Sequence, residues 1–132
     1  MFFNNKFILT SNSKSRFFIL KNNKLNFRQV SPACNEELIK RQKIKEKTTP
    51  KKISLCLAKH KAASISVFKK NYLVVGSDTT IELNTKIIEK ARNIKEAKKK
   101  LKKLSGKKHY IYSSAAAYFN NKLVWNATQK TT

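Results

Sequence analysis

Two short apolar runs set the terms for this chain. Phe7-Ile8-Leu9-Thr10 and Tyr72-Leu73-Val74-Val75-Gly76 are too short for helices. Each breaks into small turn-forming residues, Ser11-Asn12-Ser13 after the first and Ser77-Asp78-Thr79-Thr80 after the second. Runs of that length with those boundaries read as buried strands. The intervening segments carry helical spacing, so strands and helices alternate along the chain. That order predicts an α/β fold, a mixed twisted sheet with flanking helices. The 132 residues leave room for one core, so residues 1–132 are read as a single domain.

The details follow from local chemistry. Ser11-Asn12-Ser13 can cap a helix over 14–22, with Phe17, Leu20 and Ile19 on its inner side. Residues 25–30 suit a second strand. From 31 to 52 the periodicity dissolves into charge and turn residues, and 33–52 reads as a loop or lid, with a plain solvated linker as the alternative. Thr49-Pro50 looks like an N-cap followed by the first helical residue, opening a helix with Ile53, Cys56, Leu57, Ala62, Ile65 and Val67 as its apolar positions. The second apolar strand is expected to stop at Ser77-Asp78-Thr79-Thr80. Residues 81–83 and 86–88 can then pair as a hairpin across Asn84-Thr85. Asn93 to Glu96 resembles a capping box, Ile94, Ala97, Leu101 and Leu104 share one helix face, and Gly106 stands where a helix ends. Asn120-Asn121 between two alternating runs signals a type I′ hairpin.

Thirty Lys and Arg against seven Asp and Glu give a net charge of +23, which usually points to nucleic acid or an anionic surface. The make-up of that charge argues otherwise. Only Arg16, Arg28, Arg41 and Arg92 are arginines, whereas planar recognition of phosphate and bases favours Arg. Lys, Asn, Ile and Phe all have A/T-rich codons, so base composition alone could supply much of the excess. Nucleic acid is therefore disfavoured as a partner.

Other classes fall away as well. Cys34 and Cys56 have no CxxC spacing, and His60 and His109 form no metal-spaced pair. Gly76 and Gly106 are the only glycines, too few for a P-loop or Rossmann turn. No apolar run approaches the roughly 20 residues that cross a bilayer. The expectation is a soluble, cytoplasmic protein with free thiols and no membrane association.

Four features could build a site. Ser11, Ser13, Ser15 and Arg16 occupy a strand-to-helix turn, where hydroxyls, backbone N–H groups and a guanidinium could grip phosphate; a simple helix cap explains the same pattern. Asp78, the sole aspartate, falls at a strand end, where a carboxylate can hold a divalent cation or accept a proton, or can simply turn the chain. Lys61 lies among apolar helix positions and could point inward. Glu36-Glu37 is an acidic pair in a basic segment, able to bind a cation or to screen neighbouring lysines.

The order of these pieces resembles one family. Residues 7–16 resemble the "LAS-x-S-x-x-R" opening of the Maf, or septum-formation, nucleoside triphosphate pyrophosphatases, and Pro32 to Glu37 resemble their "P-x-x-x-[DE]-E" segment. Leu57-Ala58-Lys59-His60-Lys61-Ala62 is similar to "LA-x-x-KA", and Val74-Val75-Gly76-Ser77-Asp78-Thr79 to "VIGADT". Ile88-Glu89-Lys90 is similar to "L-x-KP" and Leu104-Ser105-Gly106-Lys107-Lys108-His109 to "LSG-x-TH".

The resemblance implies a Maf/ITPase-like fold that hydrolyses a nucleoside triphosphate, dTTP or UTP among the candidates, to the monophosphate and pyrophosphate with Mg²⁺ or Mn²⁺. It implies Asp78 as proton acceptor, Glu37 and Asp78 as metal ligands, and Ser11, Ser13, Arg16, Lys61, Thr79 and Lys90 as substrate contacts. Ser15 and Thr79 fall at specificity positions. A homodimer is compatible with it. Ser15 stands where the family usually has the first arginine of "SPRR", and Ala91 where it has a proline. Family members also continue beyond the point where this chain stops, so the C-terminal part of the fold is expected to be missing. An inactive remnant and a basic nucleic-acid-binding protein are the alternatives.

Overall fold

The computed structural model describes residues 7–88 and 93–132. The elements run β1 (Phe7–Thr10), α1 (Lys14–Asn22), β2 (Phe27–Val30), α2 (Glu36–Lys45), α3 (Pro50–Ser66), β3 (Leu73–Leu83), β4 (Lys86–Ile88), α4 (Ile94–Leu104), β5 (Tyr110–Phe119) and β6 (Lys122–Thr131). The strands form one mixed sheet in the order β2-β1-β3-β5-β6, with β4 paired to β3. β1 lies parallel to both β2 and β3, while β3–β5, β5–β6 and β3–β4 are antiparallel.

Each helix starts on a side-chain cap. Ser13 Oγ accepts the Arg16 N–H, Asn35 Oδ1 that of Leu38, Thr49 Oγ1 that of Lys52 and Asn93 Oδ1 that of Glu96. Caps of this kind contribute about 1 kcal/mol each. The segment read as a loop or lid is therefore corrected: residues 36–45 form α2. Its sequence lacks an apolar stripe but carries Glu36 and Glu37 in the first turn and Lys43 and Lys45 in the last, complementing the helix dipole at both ends.

α3 is the organising helix. Pro50, Ile53, Ser54, Leu57, Ala58, Lys61, Ala62, Ile65 and Ser66 are buried, at the spacing of one helical face laid on β3 and β5. Ile8, Ala62, Ile65 and Val74 form the core cluster, with Val30 and Tyr118 against it. Cys56 is only half-buried and Val67 is exposed, because they fall off that face. On α1, Phe17 packs edge-on to Phe27, which stacks on Phe7, and Ile19 is exposed rather than buried.

Both hairpin turns use the left-handed conformation that type I′ geometry needs: Asn84 and Thr85 at φ 52° and 65°, Asn120 and Asn121 at 48° and 64°. β6 forms one sheet edge and is almost wholly exposed, with Leu123, Val124 and Trp125 on the surface.

Candidate active site

The sheet opens where β1 ends. Thr10 pairs with Gly76, and beyond that point β3 has no parallel neighbour. β3 nevertheless does not stop at Ser77-Asp78-Thr79-Thr80, as expected from the turn residues there. It continues to Leu83 because β5 pairs with it all the way, Asp78 standing opposite Ser114. Asp78 is thus an internal strand residue just past the carboxyl end of β1, in the crevice where α/β sheets commonly place ligands.

Gly76 decides how close α3 can come. A Cβ there would clash with the Ala58 carbonyl oxygen and stand 2.8 Å from the Ala62 nitrogen. With no side chain in the way, α3 lies on β3 and Lys61 reaches over the strand. Lys61 Nζ donates to Asp78 Oδ1 at 3.2 Å and to the Ser77 carbonyl at 3.1 Å, and it meets Glu36 Oε1 at 3.0 Å. An ammonium has three N–H groups, and three oxygens surround this one. Its side chain is 8% exposed, against 14% for Asp78 and 37% for Glu36.

Burial pushes the Asp78 carboxyl above its ordinary range. Lys61 and Arg16 pull it down and Glu36 adds to the rise. Its second oxygen, Oδ2, is buried and has no hydrogen-bond partner, as is Ser77 Oγ. Buried polar atoms are nearly always paired, so an orphaned carboxylate oxygen at a crevice marks a position built for something that arrives. The donors here are hard oxygens, Asp78 with Glu36 and Glu37 lining the same cavity, which suits Mg²⁺ or Mn²⁺. Among the described residues no cluster of three His, Cys, Asp or Glu could cage a metal alone. A cation here would take further ligands from phosphate or water, the usual Mg²⁺ arrangement.

The other expected residues divide. Arg16 Nη2 donates to Thr79 Oγ1 at 3.2 Å, joining the start of α1 to β3, and both side chains line the cavity. Glu37 lines it too. Ser11 is buried and its Oγ accepts the Ser13 N–H, while Ser13 Oγ caps α1, so the first two serines serve the turn that aims Arg16. Ser15 is exposed and outside the cavity. Lys90 lies outside the described residues.

Glu36 was not singled out from its neighbour in the sequence. A helix turns about 100° per residue, so only one of two adjacent carboxylates can face Lys61, and no linear pattern says which. Nor was the far wall foreseen: the cavity, about 550 Å³, is also lined by Ile87 and Ile88 of β4 and by Ala97, Leu101 and Leu104 of α4. The apolar face of α4 therefore borders this space rather than the core.

Comparison with known proteins fits this geometry. The sequence is 38% identical over 123 residues to a nucleoside triphosphate pyrophosphatase of Pelagibacter ubique (strain HTCC1062), covering 93% of this chain and 63% of that one. It is 35% identical over 112 residues to a dTTP/UTP pyrophosphatase of Wolbachia sp. subsp. Brugia malayi (strain TRS), covering 85% and 54%. A 7-methyl-GTP pyrophosphatase of Rhizobium meliloti (strain 1021) is 32% identical over 118 residues, covering 89% and 59%. The chain thus spans less than two thirds of the length of these curated relatives. The Maf-like protein family profile matches residues 6–132, which takes in the capped turn of Arg16, the helix of Lys61 and the strand of Asp78. On that match, and on a mixed sheet that brings those residues to one crevice, the chain belongs to the Maf-like family.

Proposed function

We propose that this crevice binds a nucleoside triphosphate and hydrolyses the bond between its α- and β-phosphates, releasing the monophosphate and pyrophosphate. The observation that carries the reading is the Lys61–Asp78 pair, a shielded cation beside a carboxylate whose free oxygen faces no partner. Similarity to proteins named as nucleoside triphosphate, dTTP/UTP and 7-methyl-GTP pyrophosphatases supports it.

In this reading Arg16 and Lys61 bind phosphate oxygens, Arg16 with two donors at once and Lys61 as a point charge. Water attacks the α-phosphorus, the bond from that phosphorus to the bridging oxygen breaks, and pyrophosphate leaves. Asp78 Oδ2 accepts the proton released by the water. An elevated carboxyl pKa suits that role, since a stronger base takes the proton more readily at working pH. Glu37 and Asp78 would hold Mg²⁺ or Mn²⁺, which when bound neutralises charge on the phosphoryl oxygens. Thr79 orients Arg16, and Ser11 and Ser13 set the turn from which that arginine projects.

Pyrophosphate release from UTP and dTTP with Mg²⁺ or Mn²⁺ tests the proposal. Release that disappears in Asp78→Asn, with nucleotide still bound, supports it. Absence of both nucleotide binding and release in the wild-type chain refutes it, and binding without release marks an inactive remnant of the fold.

A further inference from the structure

The crevice is lined by more charge than the reaction above calls on. Among the described residues four cations border it, Arg16, Lys40, Lys61 and Lys100, against three carboxylates, Glu36, Glu37 and Asp78. Only Arg16 and Lys61 have a place in that reaction, and both already serve protein oxygens. Arg16 Nη2 donates to Thr79 Oγ1, and Lys61 Nζ meets Asp78, Glu36 and the Ser77 carbonyl. Two cations facing three carboxylates would repel a polyanion. Lys40 and Lys100 reverse that balance. A divalent cation held by Glu37 and Asp78 cancels those two carboxylates, and most of the positive excess that remains still comes from the same two lysines.

Helix geometry brings them there. Lys40 follows Glu36 by four residues and Glu37 by three, so it shares the face of α2 that carries both carboxylates to the crevice. Lys100 comes three residues after Ala97 and four before Leu104, on the face of α4 that borders the same space. The other lysines of α4, Lys95, Lys98, Lys99, Lys102 and Lys103, are exposed, whereas the Lys100 side chain is 22% exposed and meets Glu96 Oε1 at 3.2 Å. Pairs of that kind, one helical turn apart near the surface, hold weakly, so a phosphate can draw the ammonium away from Glu96. Lys40 is half-buried as well. We propose that Lys40 and Lys100 are substrate-binding residues that hold the phosphate chain from the α2 and α4 walls. This rests on the triphosphate reading above and adds two contacts to it. An ammonium on a flexible stem, with three rotatable donors, suits a chain of phosphate oxygens.

Inorganic tripolyphosphate offers the tail of the substrate without its nucleoside. Dissociation constants for tripolyphosphate and UTP are measured with Mg²⁺ on the wild-type chain, on Lys40→Gln and Lys100→Gln, and on the charge-retaining Lys40→Arg and Lys100→Arg. Lys98→Gln is the control, since it removes the same charge from an exposed position of α4 outside the cavity. Each Gln variant at the crevice is expected to weaken both ligands about tenfold, the scale of one charge-assisted hydrogen bond. The Arg variants should keep most of the affinity, and Lys98→Gln should bind as wild type does. The proposal fails for either lysine whose Gln variant binds like Lys98→Gln, or whose Arg variant loses as much as its Gln variant. It fails too if UTP alone is weakened, because the contact is then with the nucleoside. Each of these results leaves the phosphate site of Arg16 and Lys61 standing. Wild-type protein that binds neither ligand overturns the triphosphate reading itself, and the two contacts with it.

Discussion

Lys61 Nζ stands 3.2 Å from Asp78 Oδ1, and the two residues belong to elements that approach this closely because position 76 has no side chain. The helix backbone passes over Gly76 so closely that the core and the crevice are set by one contact. Val74 and Ala62 belong to the core cluster, and Lys61 of the ion pair is the residue immediately before Ala62 on α3.

Gly76→Ala is therefore expected to act on both. The added methyl meets backbone, which cannot rotate away, so α3 must lift. Overpacking of this kind costs about 1–3 kcal/mol. A lower thermal midpoint is expected, together with loss of pyrophosphate release beyond what partial unfolding explains, checked by assaying well below the transition.

Because burial raises the Asp78 carboxyl, the folded state holds its proton to higher pH than the unfolded chain does. Between the ordinary aspartate value and that raised value the folded protein binds more protons, so the contribution of Asp78 to stability falls as pH rises through this window. Asp78→Asn is expected to be more stable than wild type at neutral pH, the gap closing in acid where Asp78 is protonated in both states. Paired melts at neutral and acid pH check it. The acid limb of the kcat/KM profile should likewise lie above the ordinary aspartate range, and Lys61→Gln should move it higher, since the ammonium opposes the effect of burial.

Glu36→Gln has the opposite sign. Glu36 adds to the rise in Asp78 and shares Lys61 with it, so its neutralisation is expected to shift the acid limb downward. Freed from one of three oxygens, Lys61 should also bind tripolyphosphate more tightly. Stability should change by less than about 1 kcal/mol, because a pair this exposed on the glutamate side is screened by water. A pH–rate profile and a binding titration, each against Glu37→Gln, separate the two neighbours.

β6 presents an edge with Val124 and Trp125 more than half exposed. Edge strands with apolar faces pair with one another unless charge interrupts them. Val124→Lys is expected to raise the concentration at which the protein stays monodisperse, measured by light scattering. Trp125, the sole tryptophan, should emit at a solvent-exposed wavelength in dilute solution.

Much of this molecule was legible locally. Ser13, Thr49 and Asn93 cap the helices their side chains announced, and Asn120-Asn121 turns the hairpin its φ preferences suit, because those interactions span three or four residues. α2 was missed because the burial signal used to find helices is absent from it, and its support is electrostatic and terminal. β3 was cut short because Ser77-Asp78-Thr79-Thr80 look like a turn. What keeps them extended is β5, more than thirty residues away in sequence.

The linear order of residues was enough to specify most of the elements, α2 and the full length of β3 excepted, and to single out Arg16, Lys61 and Asp78 as candidates, since capping, periodicity and side-chain type are local properties. Which carboxylate meets Lys61, how near α3 comes to β3, and that the apolar side of α4 faces a cavity were decided by packing. Those outcomes depend on helix rotation, on the missing side chain of Gly76 and on distances across the sheet, and none of these is written in the spacing of neighbouring residues.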